Sequence, residues 1–276
     1  MNTPKNLWSI LLPPLLLGTF LAAQFKPEDI ARDKEWEDFM ASAQMTLEIK
    51  MTGPGSVTNP YKMILEKDGV KRFAAWKNPQ GRMLGSVEGW QWEIAAYRLD
   101  RYLGVNMVPV AIERRYLENR GALSLWIEGT FHYLEVMEGR IKTPAGMKGV
   151  LLNRQVYIQR AFDDLIYNDD RHANNILITD DWRMILIDHS RSFRMTKASL
   201  TTLLYNEKSK THPGTISALP AAFVEKLKTL TPEIVKQVTD PYLTDKEIEA
   251  VITRRDLILK EIDRLIEKNG KAQVIY

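Results

Sequence analysis

Asp170 and Asn175 stand five positions apart in the polar run Asn168-Asp169-Asp170-Arg171-His172-Ala173-Asn174-Asn175, and Asp188 follows two short apolar stretches later. A carboxylate, an amide oxygen and a second carboxylate in one segment can orient a hydroxyl proton and offer hard oxygen ligands to a divalent cation. Lys77 closes an apolar stretch well upstream, and Glu93 follows it. Together they meet the needs of phosphoryl transfer: a carboxylate at the attacking hydroxyl, ligands for magnesium, and a lysine held on the nucleotide phosphates. Each residue alone has a plainer reading. Asp and Asn in loops usually bond their own backbone, a lysine ending a strand is usually a solvated edge charge, and Glu93 alone would pass for an exposed helix residue. The order and context of all of them carry the inference.

Other chemistries have less support. The histidines are His132, His172, His189 and His212, and none forms an H-x-x-x-H or H-E-x-x-H pair, so no zinc site is expected. His172 is expected to order the loop around Asp170. Ser190 lacks the G-x-S-x-G elbow of a nucleophilic serine.

The elements around these residues follow from periodicity. Pro27 and an acidic run predict a solvated helix to about Ala41, a linker or cover over 25–44. Met45, Leu47, Ile49 and Met51 alternate with polar residues and predict a half-buried strand. A turn at Gly53-Pro54-Gly55-Ser56 leads to a strand over Tyr61–Glu66, and Asp68-Gly69 closes a hairpin onto Lys71–Lys77. A helix is predicted from Val87 to Leu103, capped by Gly104 and carrying Glu93. Strands over Val108–Arg114 and Ala122–Ile127 complete a small sheet. Helices dominate after Gly129: Asn153–Tyr167, Pro220–Lys228, Thr231–Val238, and a long one from Thr244, where Thr244 and Glu247 form a capping box. The chain therefore reads as α+β and bilobal, a small antiparallel β lobe with one key helix over 45–129 and a mainly helical lobe over 130–276. In this frame Asp170 and Asn175 have the spacing of base and metal ligand in a catalytic loop H-R-D-x-x-x-x-N, and Asp188 ends the following hairpin, where a second metal-binding Asp belongs.

Composition narrows the classes. The 276 residues, 45% hydrophobic, suffice for a sizeable core, and a net charge of +3 from 38 basic and 35 acidic residues mixed along the chain points to no nucleic-acid partner. The absence of cysteine excludes disulfides and thiolate metal sites. Lys5 precedes an apolar run from Leu7 to Ala23, short for a bilayer span and interrupted by Pro13-Pro14. Residues 1–24 thus read as an export signal or N-terminal anchor, giving an exported or membrane-anchored protein; the alternative is a buried N-terminal helix of a cytoplasmic one.

Several strings resemble known kinases. DRHANN (170–175) is similar to the D-R-H-x-x-N loop of phosphoinositide 3/4-kinases, and DHSRSF (188–193) resembles the D-N-G-R-G-F stretch of secretory-pathway kinases related to four-jointed and the Golgi casein kinase. FAAWK (73–77) with WEIAAYRL (92–99) resembles two elements of type II phosphatidylinositol 4-kinases. The likeness covers about Thr58 to Phe193. It implies a protein-kinase-like fold with ATP bound by Lys77, Glu93 and the segment Leu125, Trp126, Ile127 and Glu128. It further implies a catalytic Asp170 aided by Asn175 and Asp188, with Mg2+ or Mn2+ on Asn175 and Asp188. Two departures stand out: Ser190 replaces a glycine usual in these families, and the phosphate-covering loop has only Gly53 and Gly55 around a proline. The expected activity is ATP-dependent transfer to a hydroxyl of a protein, lipid or glycan, with acceptor choice in loops such as Arg191–Pro213. The alternatives are a nucleotide-binding pseudokinase and a non-catalytic envelope binding protein.

Overall fold

A computed structural model describes residues 25–51, 60–83 and 86–276. The N-terminal apolar run and the Gly53/Gly55 turn lie outside them. The chain starts with helices α1 (Pro27–Ile30) and α2 (Asp33–Ser42), followed by strands β1 (Gln44–Lys50), β2 (Tyr61–Lys67) and β3 (Val70–Lys77). A hairpin, β4 (Gln80–Met83) and β5 (Ser86–Gly89), precedes helix α3 (Gln91–Leu103) and strands β6 (Ala111–Tyr116) and β7 (Asn119–Leu125). The main sheet is antiparallel throughout in the order β1-β2-β3-β7-β6.

Alternation is clean in the central strands: Met63, Leu65, Ala74 and Trp76 point into the core with Leu123, against Ile94, Leu99 and Leu103 of α3. It fails in β1, where the apolar face expected to be half-buried leaves Leu47 45% and Ile49 56% exposed. The register slips between these two residues in a bulge, and β1 is an edge strand with a neighbour on one side only. The helix expected from Val87 begins instead at Gln91. Val87 and Glu88 belong instead to β5, with Val87 exposed and Glu88 buried. Gly104 ends α3 in the left-handed conformation at φ 70°, as its lack of a Cβ permits.

The rest is mainly helical: α4 (Tyr133–Met137), α5 (Met147–Ile166), α6 (Lys197–Thr201), α7 (Ala221–Thr229), α8 (Pro232–Thr239), α9 (Asp245–Asn269) and α10 (Lys271–Val274). It also holds a three-stranded sheet of β8 (Thr130–His132), β9 (Ile176–Thr179) and β10 (Met184–Leu186) in the order β10-β9-β8. The Thr244/Glu247 capping box is formed, and Glu247 also accepts a buried hydrogen bond of 2.8 Å from Trp92 Nε1 on α3. Helix α3 is therefore tied to the helical part as well as to the sheet. On its other side α2 buries Met40, while Asp33 and Glu37 bond Arg101 and Tyr97 of α3 at 2.5 and 3.0 Å. Among the described residues no helix is long and apolar enough to cross a membrane.

Candidate functional site

Between the sheet and the helical part lies a cleft of about 540 Å³. Its walls include Lys77, Glu93, Asn175 and Asp188, the segment Leu125–Gly129, and the apolar side chains Ala75, Val108, Leu177 and Leu186. A second hollow, of about 610 Å³, lies against α9 and is lined partly by residues of the Arg191–Pro213 loop, but by none of the expected catalytic, nucleotide or metal residues.

Lys77 arrives at the cleft because β3 ends there, paired with Ala122 of β7. Beside that pair is Gly121, where a Cβ would sit 2.7 Å from both the Lys77 carbonyl oxygen and the Trp76 ring. A larger residue would push the end of β3 out of place. Lys77 Nζ lies 2.6 Å from Glu93 Oε1 and 3.0 Å from Asp188 Oδ1. Burial opposes the charge on all three groups, yet their mutual attraction prevails. The lysine is held above its ordinary range by Asp188 and Glu93, and both carboxyls are held below theirs, chiefly by Lys77. Glu93 Oε1 also accepts the backbone N–H of His189 at 2.9 Å, which fixes the chain just after Asp188.

Asp188 itself has φ 59°, in the left-handed region, as do Tyr167 (φ 50°) and Phe193 (φ 57°) on either side of the site. Such conformations cost on the order of 1–3 kcal/mol each and persist where surrounding contacts enforce them. Those contacts are present: Asn168 Nδ2 donates to the Asp188 carbonyl at 3.2 Å, and the Phe193 N–H donates to the Ile166 carbonyl at 2.5 Å.

The Asp170–Asn175 loop is ordered from within by Arg171 rather than by His172, whose side chain is exposed. Arg171 makes a buried ion pair with Asp163 of α5 at 2.9 Å and donates to the carbonyls of Asn175 and Ile187. Asn175 Nδ2 reaches the Asp170 carbonyl at 3.1 Å. Arg171→Met is expected to destabilise the fold by about 3–5 kcal/mol, because it leaves Asp163 a buried charge without its counter-ion. Urea denaturation checks this; a change under about 1 kcal/mol would remove Arg171 from its structural role.

Asp170 is set apart from the others. It does not line the cleft but stands at its side, with Oδ1 accepting from Arg191 Nη1 at 3.0 Å. Burial raises its carboxyl above the ordinary range, and Arg191 opposes that shift. Arg191 also bonds Glu88 of β5 through Nε at 2.9 Å. The Ser190 hydroxyl lies 2.9 Å from Asp188 Oδ1 and 3.2 Å from Glu88 Oε2, so its single proton is shared between two carboxylates. Glu88, Arg171 and Asp163 escaped the reading of the sequence. Glu88 and Asp163 sit in stretches that pass for ordinary amphipathic helix, and only an acidic residue at an otherwise inward-facing position could have flagged either.

Among the described residues no three His, Asp or Glu side chains surround a common point as a metal cluster would. Asp188 and Asn175, the two residues expected to hold a cation, both line the cleft.

No family model matches the chain, and no curated protein matches it. Among solved structures it is similar to one described as the crystal structure of a Helicobacter pylori proinflammatory kinase, CtkA. The identity is 15% over 83% of this chain and 98% of that one, with a TM-score of 0.46.

Proposed function

We propose that the protein is an ATP-dependent phosphotransferase of the protein-kinase-like kind, acting on a hydroxyl of a protein, lipid or glycan. The observation that carries this reading is the single buried cluster in which Lys77 from the sheet meets Glu93 from α3 and Asp188 from the loop after β10. Glu93 holds Lys77 ready for the nucleotide phosphates, and Asp188 with Asn175 would hold Mg2+ or Mn2+ there. The bound metal would neutralise charge on the phosphates. Leu125, Trp126, Ile127 and Glu128 flank the adenine end of the cleft, where Ala75, Val108, Leu177 and Leu186 supply apolar faces for a planar base. Asp170, beside the cleft mouth, orients the acceptor hydroxyl and takes its proton. Around this centre four carboxylates, Glu88, Glu93, Asp170 and Asp188, face two cations, Lys77 and Arg191, an excess of negative charge that suits a divalent ion.

A thermal-shift measurement tests the nucleotide site. At a ligand concentration near 100 Kd the stabilisation is about 2.7 kcal/mol, which for a chain of this size moves the midpoint by roughly 5–10 °C. ATP with magnesium is expected to give that shift, and ATP without it a smaller one. No shift would refute the reading in favour of a non-catalytic binding protein. Labelled ATP offered with protein, lipid and glycan acceptors then separates transfer from mere binding. A second reading, nucleotide binding without transfer, is favoured by Ser190, whose hydroxyl lies on Asp188 Oδ1, the oxygen that also meets Lys77.

A further inference from the structure

The β4–β5 hairpin reaches across to the loop that follows Asp188. The Gly89 N–H donates to the Ser190 carbonyl at 2.9 Å. Two arginines of that loop each hold the hairpin with one hand and the Asp170 loop with the other. Arg191 joins Glu88 (2.9 Å) to Asp170 (3.0 Å), and Arg194 joins the Val87 carbonyl (2.5 Å) to Asp169 (3.3 Å). Glu88 is 2% exposed and does not line the nucleotide cleft. A carboxylate buried to that degree is costly unless a cation faces it, and the chemistry assigned above gives Glu88 no role beyond its charge.

We propose that Glu88 and Arg191 are a positioning pair for Asp170: Glu88 fixes the plane of the Arg191 guanidinium, and that guanidinium sets the Asp170 carboxylate where it meets the acceptor. The proposal rests on the phosphotransferase reading. Neither residue lines the cleft. Their effect passes through Asp170, because a reacting carboxylate must be held within about 0.5 Å of its working position by neighbours that are themselves held. The geometry also requires arginine. Its planar fork presents Nε and Nη1 to two carboxylates at once, whereas a lysine ammonium is a point charge on a flexible stem.

The experiment compares the full chain with Glu88→Gln, Arg191→Lys, Arg191→Met and the Glu88→Gln/Arg191→Met double variant. It measures turnover of ATP, to acceptor or to water, together with ATP·Mg affinity by calorimetry. Each variant is expected to lose about 10–100-fold in kcat, the usual cost of removing an outer hydrogen-bond partner, with nucleotide affinity unchanged. Arg191→Lys should be nearly as poor as Arg191→Met, and the double variant no worse than Arg191→Met alone, since Glu88 reaches Asp170 only through Arg191. Unchanged kcat, losses that multiply, or a matching loss of ATP affinity would overturn the pairing. Hydrogen exchange supplies a readout free of turnover: the amides of Asp170 and His172, each bonded within the loop, should exchange faster in the single variants while α9 is unaltered. Equal exchange would overturn the pairing as well. A wild-type chain that takes no ATP·Mg would instead remove the phosphotransferase reading itself, and with it the role given to the pair. ATP binding and turnover in the wild type, alongside variants of wild-type kcat, would remove the pair alone.

Discussion

Asp170→Asn is expected to lower turnover by about 10²–10⁴-fold, the range for a positioned general base, while ATP·Mg affinity stays at the wild-type level. The separation follows from geometry. Asp170 stands outside the cleft that Lys77, Glu93, Asn175 and Asp188 line, so an isosteric amide there leaves the nucleotide contacts in place. The fold should also survive, because Arg191 keeps its bond to Glu88 and the loop keeps Arg171 on Asp163. Single-turnover measurements with saturating ATP·Mg check the chemical step, with calorimetry on the same sample. A variant that transfers phosphate at the wild-type rate would sink the role of Asp170 as base.

Lys77→Met is expected to lose ATP affinity and about 3–5 kcal/mol of stability together, the cost of leaving a buried ionic partner uncompensated. Glu93 carries most of that cost, since its side chain is 4% exposed, whereas Asp188 at 33% recovers part of its hydration. The stability loss has a pH signature. Both carboxyls have folded pKa values below their unfolded ones. They therefore contribute stability that is full above about pH 4–5, near the unfolded range, and that is lost as pH falls toward the folded values. Without Lys77 that contribution is gone, and the two buried carboxyls favour protonation. The gap between wild type and variant should thus be widest near pH 7 and shrink on acidification, as read by urea denaturation at both ends. A gap that grows in acid would contradict the assignment of Lys77 as the charge that holds these carboxyls ionised.

Local signals carried much of the molecule. The turn signals before Tyr61 and at Asp68-Gly69 specified two paired strands, and the end of the second specified where Lys77 would stand. The spacing of Ala95, Ala96 and Leu99 marked α3 as a helix, with Gly104 to stop it, although the helix is buried on nearly every side rather than on one face. Thr244 and Glu247 marked the start of the long C-terminal helix, and Lys77, Glu93, Asn175 and Asp188, singled out in the sequence, all line one cleft. These features are legible because helix stops, caps and strand alternation depend on residues a few positions apart.

What only the tertiary structure decided are contacts between distant segments. Glu88 faces inward because Arg191, 103 positions later, meets it there, and the same arginine draws Asp170 to the side of the cleft. Arg171, a charge in a polar loop, is buried because Asp163 and two carbonyls take its donors. The apolar residues of β1 are exposed because that strand lies at the sheet edge with a bulge in it. A buried charge is stable only beside its counter-ion, and nothing local in a sequence names a partner a hundred residues away. The residue types that phosphoryl transfer would need are therefore written in the chain itself, while the network that holds Asp170 in place exists only once the hairpin, the loop after Asp188 and α5 have come together.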